Sequence, residues 1–129
     1  MNARDYYLGV QRTVHGAAFV LSSDLRFEEV DEHVGYIEGV LLLIGDFQLY
    51  LAEYVLTSPA VTRPKYRYHL QTLSGQLISR WDNATHHHQV SSFPDHRHDD
   101  RDGIHPSMPM DLPGILDAVL AYILPPQSD

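Results

Sequence analysis

Apolar positions follow two periods along this chain. Near the N-terminus, Tyr6, Tyr7, Val10 and Val14 recur at helical spacing, which lines one face of a helix. Residues 3–15 are therefore expected to be helical, with Asn2 as N-cap and Gly16 as the stop. The period then changes to two. Leu25 and Phe27 alternate with Arg26 and Glu28, the signature of a strand with one buried face. This predicts a strand over 17–30, a second over 34–44 and a third over 47–56. Gly45-Asp46 reads as a two-residue hairpin turn. That register sets Leu42 opposite Leu49 and Glu38 opposite Glu53. Two facing carboxylates repel, so the pair holds a proton, a cation or a basic partner, or frays into solvent.

After a Pro-containing loop, strands are expected over 65–73 and 76–83, joined at Ser74-Gly75. This register pairs Tyr68 with Trp81 on one face, and His69 with Arg80 and Arg67 with Asp82 on the other. Residues 84–110 show no period, and their DHRHDDRDG run is expected to be exposed. Asp111 then caps a helix over 112–124, with Pro113 in its first turn and Pro125-Pro126 ending it. The expected fold class is α+β, one domain over residues 1–129. It comprises an N-terminal helix, a five-stranded antiparallel meander, a His-rich loop and a C-terminal helix.

Composition adds exclusions. No apolar run reaches the ~20 residues of a membrane span, the N-terminus lacks a signal-peptide pattern, and there are no cysteines. A soluble, cytoplasmic protein without disulfides is expected. The net charge of -8 argues against nucleic-acid binding until its distribution is considered. Residues 63–101 hold six Lys/Arg and four Asp/Glu plus six histidines, whereas both flanks are acidic. Local field governs anion binding, so this island sets the function classes worth weighing.

Its centre is Arg80 to His98, RWDNATHHHQVSSFPDHRH, with five histidines in nineteen residues. Imidazoles, carboxylates and guanidinium groups together suit proton transfer, phosphate binding or metal ligation. RNA can be cut through its own 2′-hydroxyl if a protein supplies a base, an acid and cations. Arg80, Asp82, His86, His87, His96 and His98 are the catalytic candidates, and Arg67, His69, Asn83 and Arg97 the substrate-binding ones. That reading requires no cofactor. In the alternative, Asp82, His87, His96 and His98 ligate a divalent metal, and the protein is a metal- or RNA-binding module without activity. A plain solvated loop is the third reading.

The same phrase resembles the signature of the TumE-type toxins of prokaryotic toxin–antitoxin systems, roughly R-Y-D-N-A-P-H-H-P-E-I-x-T-F-P-H-H-K-H. The upstream GYIEG, AEYV and KYRYHL segments extend the likeness over about residues 35–98. The resemblance implies a small cytoplasmic toxin acting on RNA and neutralised by a cognate antitoxin. By position it carries over Glu53, Tyr68, His69, Arg80, Asp82, Asn83, His86, His87, Pro94, His96 and His98. Thr85 and His88 stand where that signature has proline, and Asp95 where it has histidine. These departures, with the acidic Asp99, Asp100 and Asp102, leave a weakened or inactive member as a further alternative. Exposed strand edges leave room for a homodimer or an antitoxin-capped complex.

Overall fold

The computed structural model describes residues 1–124. Helix α1 spans Ala3–His15. The Asn2 side chain accepts from the Asp5 N–H, and the Asp5 carboxylate accepts from the Asn2 N–H. Two N–H groups with no partner inside the helix are thereby satisfied. Strands β1 (Val20–Asp31), β2 (Val34–Leu43), β3 (Phe47–Leu56), β4 (Thr62–Thr72) and β5 (Leu77–Asp82) follow. Then come β6 (His96–His98), β7 (Ile104–Pro106) and helix α2 (Leu112–Ile123). Asp111 caps α2 by accepting from the Gly114 N–H. The expected stop at Pro125-Pro126 lies outside the described residues.

The strands form one antiparallel sheet in chain order, β1 to β7. The sheet therefore has seven strands, not the expected five. The two additional strands are three residues each and consist of His-Arg-His and Ile-His-Pro. Segments so short and polar carry no readable alternation. His96 and His98 are buried, so the DHRHDDRDG run is not wholly exposed as expected.

The β2–β3 register also differs from expectation. Leu43 lies opposite Phe47, and Ile44, Gly45 and Asp46 form a three-residue loop. The Ile44 N–H bonds to the Phe19 carbonyl, and its side chain packs against the core. Gly45 and Asp46 take φ of 81° and 63°, backbone that Gly and Asp tolerate better than most residues. One extra loop residue moves each partner to the other face of the sheet. Glu38 thus faces Ala52, Ile37 faces Glu53, and the two carboxylates stand on opposite faces. The β4–β5 register pairs Tyr68 with Trp81, His69 with Arg80 and Arg67 with Asp82 as expected, but the hairpin is not closed by a two-residue Ser74-Gly75 turn. The Thr72 N–H bonds to the Gln76 carbonyl, and a register shift between Leu70 and Gln71 absorbs the extra loop residue.

Alternation gives the sheet one apolar face. Ile37, Leu41, Leu49, Leu51, Tyr68 and Trp81 point from it into a core closed by Val10 and Val14 of α1 and Leu112, Ile115 and Val119 of α2. Each fully buried Leu or Ile contributes roughly 1.5–3 kcal/mol of apolar burial. The opposite face is left to polar and aromatic residues.

Candidate functional site

That uncovered face carries a shallow groove. Its β4–β5 half is lined by Tyr36, Tyr54, Lys65, Arg67, Arg80 and Asp82. Its β1–β2 half is lined by Asp24, Arg26, Glu38, Tyr50 and His69, with Ala52 on the floor of both halves. The cations thus gather toward β4 and β5, and carboxylates predominate toward β1 and β2.

Next to the basic half, the fold draws the histidine segment together. Arg80 pairs with His98 and Asp82 with His96 across β5 and β6. Residues two apart on a strand share a face, so all four side chains emerge on the same side. His96 Nε2 lies 2.9 Å from Asp82 Oδ1, and His98 Nε2 lies 3.5 Å from Asp82 Oδ2. The two Nε2 atoms are 3.1 Å apart. Arg80 Nε donates toward Asp82 Oδ2 at 3.3 Å, and the Ala84 N–H donates to Asp82 Oδ1 at 2.9 Å. The outer nitrogens are engaged as well. His96 Nδ1 is 2.8 Å from the Pro94 carbonyl, and His98 Nδ1 is 2.9 Å from Asp102 Oδ1. His87, half-buried in the loop before β6, stands edge-on to both rings at centroid distances of 4.9 and 5.4 Å.

The structure thus brings Arg80, Asp82, His87, His96 and His98 together, with Arg67 and His69 beside them on β4. Of the other candidates, Asn83 lines the basic half of the groove, and the rest lie elsewhere. His86 is exposed. His88 stacks on Phe93 with centroids 4.4 Å apart. Asn83 accepts from the Tyr66 N–H and donates to the Pro64 carbonyl, which ties β5 to the start of β4. Arg97, one residue out of phase with the two histidines, is on the core-side face, where it donates to Ser79 Oγ and Tyr122 Oη. Glu53 and Tyr68 lie beneath the sheet. There the Tyr6 and Tyr68 hydroxyls donate to the fully buried Glu53 carboxylate.

Asp102 is the functional candidate that sequence reasoning missed. It looked like part of a repelling acidic run, yet it fixes the orientation of His98. Its φ of 60° places it in the β6–β7 turn, and the Asp102-Gly103 pair is a hairpin signal that could have revealed it. Asp95, another departure from the resemblance, accepts from the Tyr66 hydroxyl at 2.6 Å and so anchors the loop.

Burial shapes the protonation of these groups. It lowers the pKa of His98, with the nearby Arg80 guanidinium adding to the effect and Asp102 opposing it. His69 is lowered by burial and then by Arg67 and Arg80. Burial raises Glu53 despite its two tyrosine donors. Asp99 is drawn down to about 2 by its hydrogen bond with His105, and then by the Gly103 and Arg101 N–H groups.

The family model for toxin TumE matches residues 10–124, from within α1 to the last residue of the described chain. The chain belongs to the TumE toxin family. The match includes every strand of the sheet and the whole of the His/Arg/Asp cluster, so the cluster is set within a TumE domain rather than appended to it. Comparison with curated proteins and with solved structures finds no match. Among the described residues, no helix is long and apolar enough to cross a membrane.

Proposed function

We propose that this TumE family member is an RNA-cleaving toxin, held in check by a cognate antitoxin, whose site is the Arg80–Asp82–His87–His96–His98 cluster. One observation carries the reading: a cluster of imidazoles and a carboxylate sits at the basic end of an open groove. Lys65, Arg67 and Arg80 line that end beside Tyr36 and Tyr54. Cations can hold a phosphodiester, and tyrosine faces can stack unpaired bases. RNA brings its own nucleophile, so the protein needs only to move protons and stabilise charge on the phosphate. Arg80 is placed to bind phosphate, since it is partly exposed and already oriented by Asp82. His96 is too deeply buried to touch a substrate directly, so its contribution passes through Asp82 and His98.

Two chemistries can run on these side chains: proton transfer by the imidazoles alone, or catalysis by an ion that they hold. Cleavage of labelled total RNA by the purified protein, with and without EDTA, separates them. Arg80→Ala and His87→Ala are each expected to reduce cleavage by about 10²-fold or more, the range for losing a charge-stabilising or proton-transferring group. Loss of cleavage in EDTA, restored by one divalent ion, identifies the second chemistry. Folded protein that binds RNA without cutting it would overturn the enzymatic reading in favour of a binding module.

A further inference from the structure

We infer that His87, His96 and His98, with Asp82, form a binding site for one divalent transition-metal ion of the zinc class. The argument begins with counting protons. The Pro94 carbonyl can only accept a hydrogen bond, so His96 Nδ1, 2.8 Å away, carries a hydrogen. The Asp102 carboxylate likewise accepts, so His98 Nδ1, 2.9 Å away, carries one. A neutral ring with a hydrogen on Nδ1 has a bare lone pair on Nε2. Two such lone pairs therefore face each other at 3.1 Å and face the Asp82 carboxylate at 2.9 and 3.5 Å. Acceptors pressed against acceptors in a buried place are unfavourable. Positive charge among them removes the conflict.

A single proton on one ring would answer for two histidines. His87 adds a third ring nitrogen, so that one nitrogen from each of the three lies within 4.8 Å of the others, and Asp82 joins the group through its approaches to His96 and His98. Nitrogens bound to zinc at ~2.0–2.1 Å in a tetrahedron stand about 3.3–3.4 Å apart. The His96–His98 separation of 3.1 Å and the His98–Asp82 separation of 3.5 Å bracket that edge, and the His96–Asp82 separation of 2.9 Å would have to open by a few tenths of an ångström to meet it. The outer nitrogens follow the usual arrangement around such ions, in which a ligating imidazole donates its other N–H to a carbonyl or carboxylate. Three nitrogens and one oxygen suit zinc and its first-row neighbours better than magnesium or calcium. The nearby Arg80 guanidinium opposes a cation, and the Asp82 and Asp102 carboxylates offset it.

This deepens the RNA-cleaving reading by naming the cofactor of that site. Only the ion's catalytic use rests on that reading, because its binding can be measured without RNA. The deeply buried ligands then serve as ligands, while Arg80, Arg67 and His69 remain toward the groove.

The test is calorimetric titration of the full chain with Zn²⁺ after chelator treatment, repeated with Co²⁺ to read tetrahedral ligation from its visible spectrum. One equivalent is expected to bind. His98→Ala should abolish binding, and His87→Ala should weaken it by at least tenfold. Asp102→Ala, which touches no ion, should cost about 10–100-fold. His15→Ala, an exposed histidine on α1, should change nothing. His87 and Asp102 are accessible enough that their variants should keep the native circular dichroism even if His98→Ala does not fold. Absence of stoichiometric binding by the folded wild type would overturn the inference. So would binding that is indifferent to both His87→Ala and Asp102→Ala. Metal binding with no RNA cleavage in any condition would leave this site standing and remove the RNA reading instead.

Discussion

At the residue scale, Glu53 shows what a one-residue change of register does to a carboxylate. It is fully buried, accepts from the Tyr6 and Tyr68 hydroxyls, and has its pKa raised by burial. A carboxylate raised in the folded state binds its proton more tightly there than when unfolded. Its contribution is therefore most favourable below the unfolded value of about 4.3. That contribution is lost as the pH rises through the higher folded value. Glu53→Gln should accordingly flatten the stability profile above pH 4, as urea unfolding of both proteins across pH 4–8 would show. An identical pH slope in wild type and variant would mean that Glu53 is ionised in both states at similar cost. The sequence singled out this residue through a facing carboxylate that turned out not to face it. A two-residue turn at Gly45-Asp46 was the natural reading, and only the packing of Ile44 decides for three.

At the element scale, the helices and the β4–β5 pairing were legible because local chemistry specifies them. Asn2 and Asp111 cap, Gly16 stops, and Gly75 at φ 95° turns the chain, although in a loop one residue longer than Ser74-Gly75 alone. The helical and two-residue periods then assign the faces. Strands β6 and β7 were not legible. Their side chains are chosen for contacts with Asp82, Arg80 and Asp99, not for apolar alternation, so the pattern that marks a strand is absent where the site is built. The i, i+2 spacing of His96 and His98 sets both on one side of an extended segment, but the arrival of His87 and Asp82 beside them could be suspected from composition only. Two substitutions test the packing described for the elements. A Cβ on Gly39 would fall 2.3 Å from the Asp24 carbonyl oxygen of β1, so Gly39→Ala should destabilise by about 1–3 kcal/mol through forced strand separation. Ile115→Ala, in the buried face of α2, should cost about 2–5 kcal/mol. Thermal or denaturant unfolding measures both. A neutral Gly39→Ala would show that β1 shifts freely against β2.

At the scale of the whole molecule, charge and topology act together. The net charge of -8 repels RNA at a distance, and only a few cations, chiefly Lys65, Arg67 and Arg80, line the groove beside the histidine cluster. Three phosphate contacts to a single strand correspond to a log–log salt slope of about −2. Fluorescence anisotropy with the cleavage-impaired His87→Ala protein, across a salt series, should find a slope near that value. A slope several units steeper would place the RNA on a surface other than this groove.

Site and core also differ in how firmly the sheet holds them. The histidines of β6 join the sheet through only three register pairs on each side, whereas β2 and β3 are joined by ten. Short strands near a sheet edge open locally at lower free energy than a central ladder. Loss of activity and loss of fold are then separate events. On heating, cleavage should fail at a lower temperature than the main unfolding transition, and recover on cooling if that transition was never reached. A ligand or partner that held the far edge of the sheet would raise the temperature at which the site fails, without touching the core.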